Sequence, residues 1–341
     1  MKEVIVHQEL EKTVVVDSPL PSPGPHDVLI KVVVSGSNPK DWKYPMFRST
    51  PHNSGDDIAG VVEKLGSDVH GLNVGDRVAA FHEMGAPYGS FAEYAVAKDY
   101  CTFLIPDSVS FESAATLPLA SLTAAYGLFD ILPLPTPWRP ATGAFPIVIY
   151  GASSSVGVFS VQLAKLAGLS PIIGVAGKSK QLALDLGCDF VVDYRSTDDV
   201  PAAIRSHLKP GQELLYAWDC ISERGSVENL AAALAPSNGS EKRIGLVLPD
   251  LYDADKVASL GVEPKLEMVG VAHGEDPARR DFAWVFFQQL SKWLFEGKFK
   301  PHAYKAVEGG LAGVGKGLAE LKAFQVSGHK NVFRVADTPG L

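Results

Sequence analysis

The run Gly151-Ala152-Ser153-Ser154-Ser155-Val156-Gly157 is well suited to hold an anion. An apolar run, Pro146–Tyr150, precedes it, and helical spacing follows over 156–168. In a strand–turn–helix unit the first glycine permits a sharp turn, and the last lets the helix pack closely on the sheet. Backbone N–H groups at the helix start then face outward, where the helix dipole favours negative charge. Ser153, Ser154 and Ser155 can add hydroxyl donors to phosphate oxygens. A serine stands where the Gly-x-Gly-x-x-Gly fingerprint has its middle glycine. Taken alone, the turn also reads as an ordinary Ser/Gly-rich connection.

A second group lies after the next strand, Pro171–Ala176. A unit that binds NAD places an acid there for the ribose 2′-hydroxyl. No Asp or Glu occurs from Ala152 to Leu184. The strand runs instead into Gly177-Lys178-Ser179-Lys180, two cations and a hydroxyl that suit a 2′-phosphate. Tyr194 could pack beside the same phosphate. The plainer alternatives are exposed lysines at a helix start and a surface tyrosine. The missing acid favours NADPH over NADH.

These residues need a frame. From 146 onward strands and helices alternate. Strands are expected at 146–150, 171–176, 190–193, 213–219, 243–248 and 266–272. Helices are expected at 156–168, 180–186, 200–208 and 225–234. Such βαβ units imply a parallel sheet, and right-handed crossovers make it an α/β doubly wound Rossmann fold. The first ~120 residues read as β-rich, with strands at 28–34, 58–65 and 76–80 and turn clusters between them. Helical spacing covers 113–129, and a long aromatic helix covers 281–295. The final piece, ending in the strand 331–335, is expected to rejoin the N-terminal part. The expected domains are 1–122 with 297–341, a β-rich substrate domain, and 123–296, the dinucleotide-binding domain.

Composition narrows the function. The 341 residues are 46% hydrophobic and 21% charged, as in a globular protein of about two domains. A net charge of -8 argues against nucleic-acid binding. Cys101, Cys188 and Cys220 are few and scattered, which suits a reducing compartment and leaves no Cys-x-x-Cys zinc lobe. No leader and no apolar run of about 18 residues is read, so no membrane span is expected and the location is taken as cytoplasmic.

Several segments together resemble the medium-chain dehydrogenase/reductase superfamily: 23–43, 54–69, 72–81, 89–98 and 105–128 its GroES-like domain, and the later half its cofactor domain. Zinc-dependent alcohol dehydrogenases of that superfamily carry a cysteine where this chain has Asn38-Pro39-Lys40-Asp41, and a His-Glu pair where it has Asp56-Asp57. A catalytic metal is therefore not expected. Asn38-Pro39-x-Asp41 is similar to the motif of the zinc-independent quinone and enoyl reductases. DWK (41–43), GASSSVG, DYR (193–195), WDCIS (218–222) and QVSGHKNVFRV (325–335) are similar to fungal enoyl reductases of secondary metabolism, including those acting in trans with polyketide synthases. The resemblance implies NADPH contacts at Lys43, Ser153, Ser154, Ser155, Val156, Lys178, Ser179, Lys180 and Tyr194, and backbone contacts near Leu248, Val326 and Ser327. It departs at 177–180, where that group often has Ser-Pro-His-Asn.

Without a metal, hydride chemistry favours a conjugated acceptor such as an enone or enoyl thioester. Hydride would reach the β-carbon, donors would stabilise charge on the carbonyl oxygen, and the α-carbon would be protonated. Lys43 and Tyr44 are the candidate donors, against a solvated lysine and a packed tyrosine. Asp41 is read as orienting the loop or Lys43. The resemblance places Thr123 beside the nicotinamide; the alternative is a hydroxyl bonded to its own helix. His82 is either a cleft residue or structural. The substrate is a small-molecule or carrier-bound enone, a polyketide synthase is the macromolecular partner considered, and the chain is a monomer or a homodimer pairing through 266–272. A cyclase or nucleotide-binding role without redox chemistry is the alternative outside reductases.

Overall fold

The computed structural model describes all residues except 48, 49, 239, 240, 250 and 267. It divides into two compact units, Met1–Leu119 with Gly270–Leu341, and Ala120–Val269.

The second unit is a six-stranded sheet. Its strands are β1 (Ile147–Tyr150), β2 (Ile172–Ala176), β3 (Phe190–Asp193), β4 (Tyr216–Asp219), β5 (Arg243–Leu246) and β6 (Glu263–Leu266). They lie in the order β3-β2-β1-β4-β5-β6, and every pairing is parallel. The order reverses beside β1, which creates the crevice where doubly wound sheets bind ligands. β1 and β2 are wholly buried and apolar, as parallel strands covered on both faces must be. Helices α1 (Ser155–Leu166), α2 (Lys180–Leu186), α3 (Val200–Arg205), α4 (Ser226–Leu234) and α5 (Ala254–Ser259) provide the crossovers.

In the first unit a seven-stranded sheet is built on Asp27–Gly36 and Asp57–Leu65, which pair antiparallel. The strand Lys330–Arg334 adds to the other side of Asp27–Gly36, also antiparallel, with Phe333 opposite Ser35. Inward residues Ile30, Val32, Ile58, Val78, Phe91 and Phe333 form its core.

Three expectations change. The last sheet strand is Glu263–Leu266 and not 266–272: Val269–His273 is a 3-10 turn, and Glu267 lies outside the described residues. Pro264 is tolerated there because β6 is an edge strand. The helix expected over 113–129 is broken into Phe111–Ala114, Pro118–Tyr126 and a wider turn over Gly127–Ile131. The break falls before Pro118, whose ring disfavours a helical residue ahead of it. That stretch, Phe111–Ile131, is long and apolar enough to cross a membrane by length and composition, but 83% of its most apolar window is buried within the fold. Helix Pro277–Phe295, expected with the nucleotide unit, groups with the first: Phe287 stacks on Phe103 at 4.9 Å, and Ser291 Oγ donates to Leu104 O at 2.8 Å.

Candidate functional site

The β1–α1 turn is a tight anion cradle. Gly151 has φ +74°, a left-handed conformation that only glycine adopts without cost. The N–H groups of Gly151 and Ala152 both donate to Val175 O, at 2.9 and 3.0 Å, which pins the turn to β2. Ser154 caps α1, its Oγ accepting from Gly157 N at 3.1 Å. The hydroxyl proton of Ser154 remains able to donate. Ser153, Ser155 and Val156 are half-buried around it. A Cβ on Gly157 would lie 2.1 Å from Gly151 O and 2.8 Å from Ala152 Cα, so the helix start approaches the turn as only glycine permits. The geometry fits a pyrophosphate.

Beyond β2 the chain gathers cations. Lys178 and Lys180 are exposed, and Ser179 is half-buried ahead of α2. Tyr194 closes over this corner: a Cβ on Gly177 would lie 3.1 Å from its Cε1 and Oη. One acid enters that the sequence window missed. Parallel pairing puts Asp193 in register with Ala176, at the end of the neighbouring strand. Its carboxylate is gripped by Arg195, with Nε–Oδ1 2.9 Å and Nη2–Oδ2 2.8 Å. The Arg195 hydrogen bonds, chiefly, hold Asp193 down to about 2.

The crevice end of β4 carries a further acid. Asp219 is fully buried, and its Oδ1 accepts from Ile221 N and Ser222 N, both at 2.9 Å. Ser222 Oγ in turn accepts from Val247 N at 2.9 Å, next to the half-buried Leu248. Burial pushes Asp219 up to about 6. Thr123, on helix Pro118–Tyr126, is half-buried in this unit.

Lys43, Tyr44, Val326 and Ser327 belong to the first unit. Asn38-Pro39-Lys40-Asp41 opens the helix Pro39–Phe47, with Pro39 first, where its missing N–H costs nothing. Asp41 holds the turn: its Oδ2 accepts from Asn38 N at 2.7 Å, and its carbonyl accepts from Ser54 Oγ at 2.8 Å. Lys43 and Tyr44, half-buried, follow on the same helix. Lys43 Nζ lies 5.4 Å from the Trp42 ring centroid, and Tyr44 packs edge-on to His52 at 5.7 Å. Ser327 is exposed and Val326 half-buried in the turn before Lys330–Arg334. His82 is a buried clamp, with Nδ1 2.6 Å from Val96 O and Nε2 3.2 Å from Ala86 O; burial lowers its pKa. This is the structural alternative for that residue.

The place where related dehydrogenases carry metal ligands holds an internal ammonium. Lys40 Nζ donates to Ser54 O at 2.5 Å and forms ion pairs with Asp56 and, at 3.2 Å, with Asp41 Oδ1. Burial works against this ammonium, but the two carboxylates outweigh it and hold its pKa above the usual value. Burial raises both acids, against the pull of Lys40. Alongside, Lys330 Nζ pairs with Asp57 and donates to Asn38 Oδ1 at 3.1 Å, while Asn38 Nδ2 donates to Asp57 Oδ2 at 2.8 Å. Among the described residues no three His, Cys, Asp or Glu side chains gather as a metal site. Two carboxylates already neutralised by lysine do not fit zinc. Lys40, Lys330, Arg195 and Asp219 were not read as site residues. Only Lys40 and Arg195 gave a local signal, each standing one or two positions from an acid.

A GroES-like unit and a doubly wound nucleotide unit with this cradle define a medium-chain dehydrogenase/reductase, a class of nicotinamide-dependent oxidoreductases. Residues 24–107 match the alcohol dehydrogenase GroES-like domain and residues 155–279 the family described as zinc-binding dehydrogenase. The chain belongs to the enoyl reductase family of this superfamily. It is 36% identical over 322 residues to a trans-enoyl reductase of Gibberella fujikuroi, covering 92% of each chain. It is also 36% identical over 361 residues to a trans-enoyl reductase of Aspergillus sclerotiorum, covering 98% of this chain and 100% of that one. In fold it is similar to the quinone oxidoreductase of Pseudomonas syringae, with TM-score 0.76, 23% identity, and 97% and 99% of the two chains covered.

Proposed function

We propose that the chain reduces the C=C bond of an α,β-unsaturated carbonyl compound with NADPH and without zinc. The observation that carries the cofactor choice is the cluster of Lys178, Ser179 and Lys180 beside Gly177, with Tyr194 over it and the nearby acid neutralised. A mycobacterial protein of the same fold was solved in complex with NADPH. When bound, the reduced nicotinamide supplies the hydride. The β1–α1 turn and the Ser153–Ser155 hydroxyls hold the pyrophosphate. Leu248, Val326 and Ser327 offer backbone groups to the remainder, and Thr123 stands beside the nicotinamide. Lys43 and Tyr44 donate to the substrate carbonyl oxygen as it gains charge. Lys40 and Asp41 hold the turn that carries them.

The high coverage of relatives named trans-enoyl reductases favours a carrier-bound substrate delivered by a polyketide synthase. The three cysteines are unpaired and buried, which suits the cytoplasm. We assign the first unit to the substrate and the second to the cofactor. The test is cofactor oxidation with NADPH and NADH against free enones and carrier-bound enoyl thioesters, with product mass read in parallel. A gain of two hydrogens with NADPH preferred is expected. Tight NADPH binding without turnover on any acceptor, or a product of unchanged mass, would sink the reading.

A further inference from the structure

Asp193 and Arg195 set the charge at the end of β2. β3 runs parallel to β2, and the register brings Asp193 level with Ala176, one residue before the Gly177–Lys180 segment. An open carboxylate there would accept a ribose 2′-hydroxyl and repel a 2′-phosphate. This one is not open. Arg195 donates to it three times: Nε to Oδ1 at 2.9 Å, Nη2 to Oδ2 at 2.8 Å, and its backbone N to Oδ1 at 3.1 Å. Lys180 Nζ stands 3.8 Å from Oδ2. A planar guanidinium fits both oxygens of one carboxylate, whereas an ammonium meets them as a point charge. Tyr194, between the two partners in sequence, turns its ring over Gly177.

We propose that Arg195 is a specificity-determining positioning residue: by engaging both oxygens of Asp193 it masks the carboxylate at the β2 end, so that the corner accepts a 2′-phosphorylated dinucleotide. The inference rests on the NADPH reading above. With Arg195 present, the corner carries three cations (Lys178, Lys180, Arg195) to one acid, an excess of positive charge suited to a phosphate dianion. Without it, the excess falls and the carboxylate turns outward to the ribose.

The probes are 2′,5′-ADP and 5′-AMP, which differ by that phosphate, titrated calorimetrically into the full-length protein. The unsubstituted protein is expected to prefer 2′,5′-ADP; equal or reversed affinity would sink the NADPH reading itself. Given that preference, Arg195→Ala should lower it roughly tenfold. Its affinity for 5′-AMP should hold or rise, which a loss of structure would not produce. Arg195→Lys should keep part of the preference. Asp193→Asn combined with Arg195→Ala should restore most of it. An unchanged preference in Arg195→Ala overturns the inference. So does a double variant as poor as Arg195→Ala alone, because Arg195 would then act on the phosphate itself.

Discussion

Lys330 and Asp57 stand 273 positions apart in sequence and meet as a fully buried ion pair, joined by Asn38. Asp57 is also held by Leu119 N, which donates to Oδ1 at 2.7 Å. Breaking one side of such a pair leaves an uncompensated buried charge, at a cost of about 3–5 kcal/mol. Lys330→Met should therefore destabilise the first unit by that order, read as a fall in the urea midpoint. Lys330→Met with Asp57→Asn should recover most of it. A single variant as stable as the parent would contradict the pairing.

The β1–α1 turn predicts a steric effect. Gly157→Ala puts a methyl 2.1 Å from a carbonyl oxygen that is itself fixed by the turn. Overpacking of this kind costs roughly 1–3 kcal/mol. Dinucleotide affinity should fall with it, because the helix start must back away from the cradle. Ser154→Ala should cost about 1 kcal/mol through the lost cap. Fluorescence titration with NADPH, beside a thermal melt, separates the two effects.

Lys178→Ala with Lys180→Ala should raise the NADPH Michaelis constant about tenfold or more while that for NADH stays nearly unchanged. Of the two, Lys178 should matter more, because Lys180 lies 3.8 Å from Asp193 and part of its charge is already engaged. If the double change weakens NADPH and NADH equally, these lysines do not read the 2′-phosphate.

Asp219 gives a pH dependence. Its folded pKa is raised to about 6 by burial, above the ordinary aspartate value of 3.8. Between those values the folded state binds more protons than the unfolded state, so stability falls as pH rises through that window and levels off above it. Asp219→Asn keeps an Oδ1 for Ile221 N and Ser222 N and removes the titration. Its stability relative to the parent should grow from pH 4 to pH 6. A constant difference across that range, measured by urea midpoints, would show that Asp219 does not titrate there.

On the reaction itself, Tyr44→Phe and Lys43→Met test the two donors proposed for the oxyanion. Removing a donor used in the transition state should lower kcat about 10²-fold. Tyr44→Phe should do so without changing NADPH affinity, whereas Lys43→Met should alter both if Lys43 also touches the cofactor. Stopped-flow reduction of an enone by each variant resolves the assignment.

What could be read from the sequence was local. Gly151, the serines and Gly157 lie within one strand–turn–helix, and their offsets carry the geometry. Lys178–Lys180 follow one strand directly. The acid opposite them did not show, because Asp193 reaches Ala176 only through the register of two parallel strands. Lys40 stands in the Asn38–Asp41 turn with no sign of burial in its neighbours; its partners Ser54 and Asp56 come from another segment, and its burial is a property of the packed sheet. The apolar run 266–272 outweighed Glu263–Leu266, whose Pro264 argues against a strand anywhere but at an edge. Pro118 was the missed signal within the helix read at 113–129.

The strand Lys330–Arg334 has a consequence for synthesis. The nucleotide unit is one continuous stretch, Ala120–Val269, and has its whole sheet once that stretch has left the ribosome. The first unit does not. Until residues 330–334 emerge, Asp27–Gly36 is paired on one side only along Val34–Gly36, and Asp57 waits without its ammonium. The order of assembly is thus the reverse of the order of translation: the half that is made first is the half that is completed last.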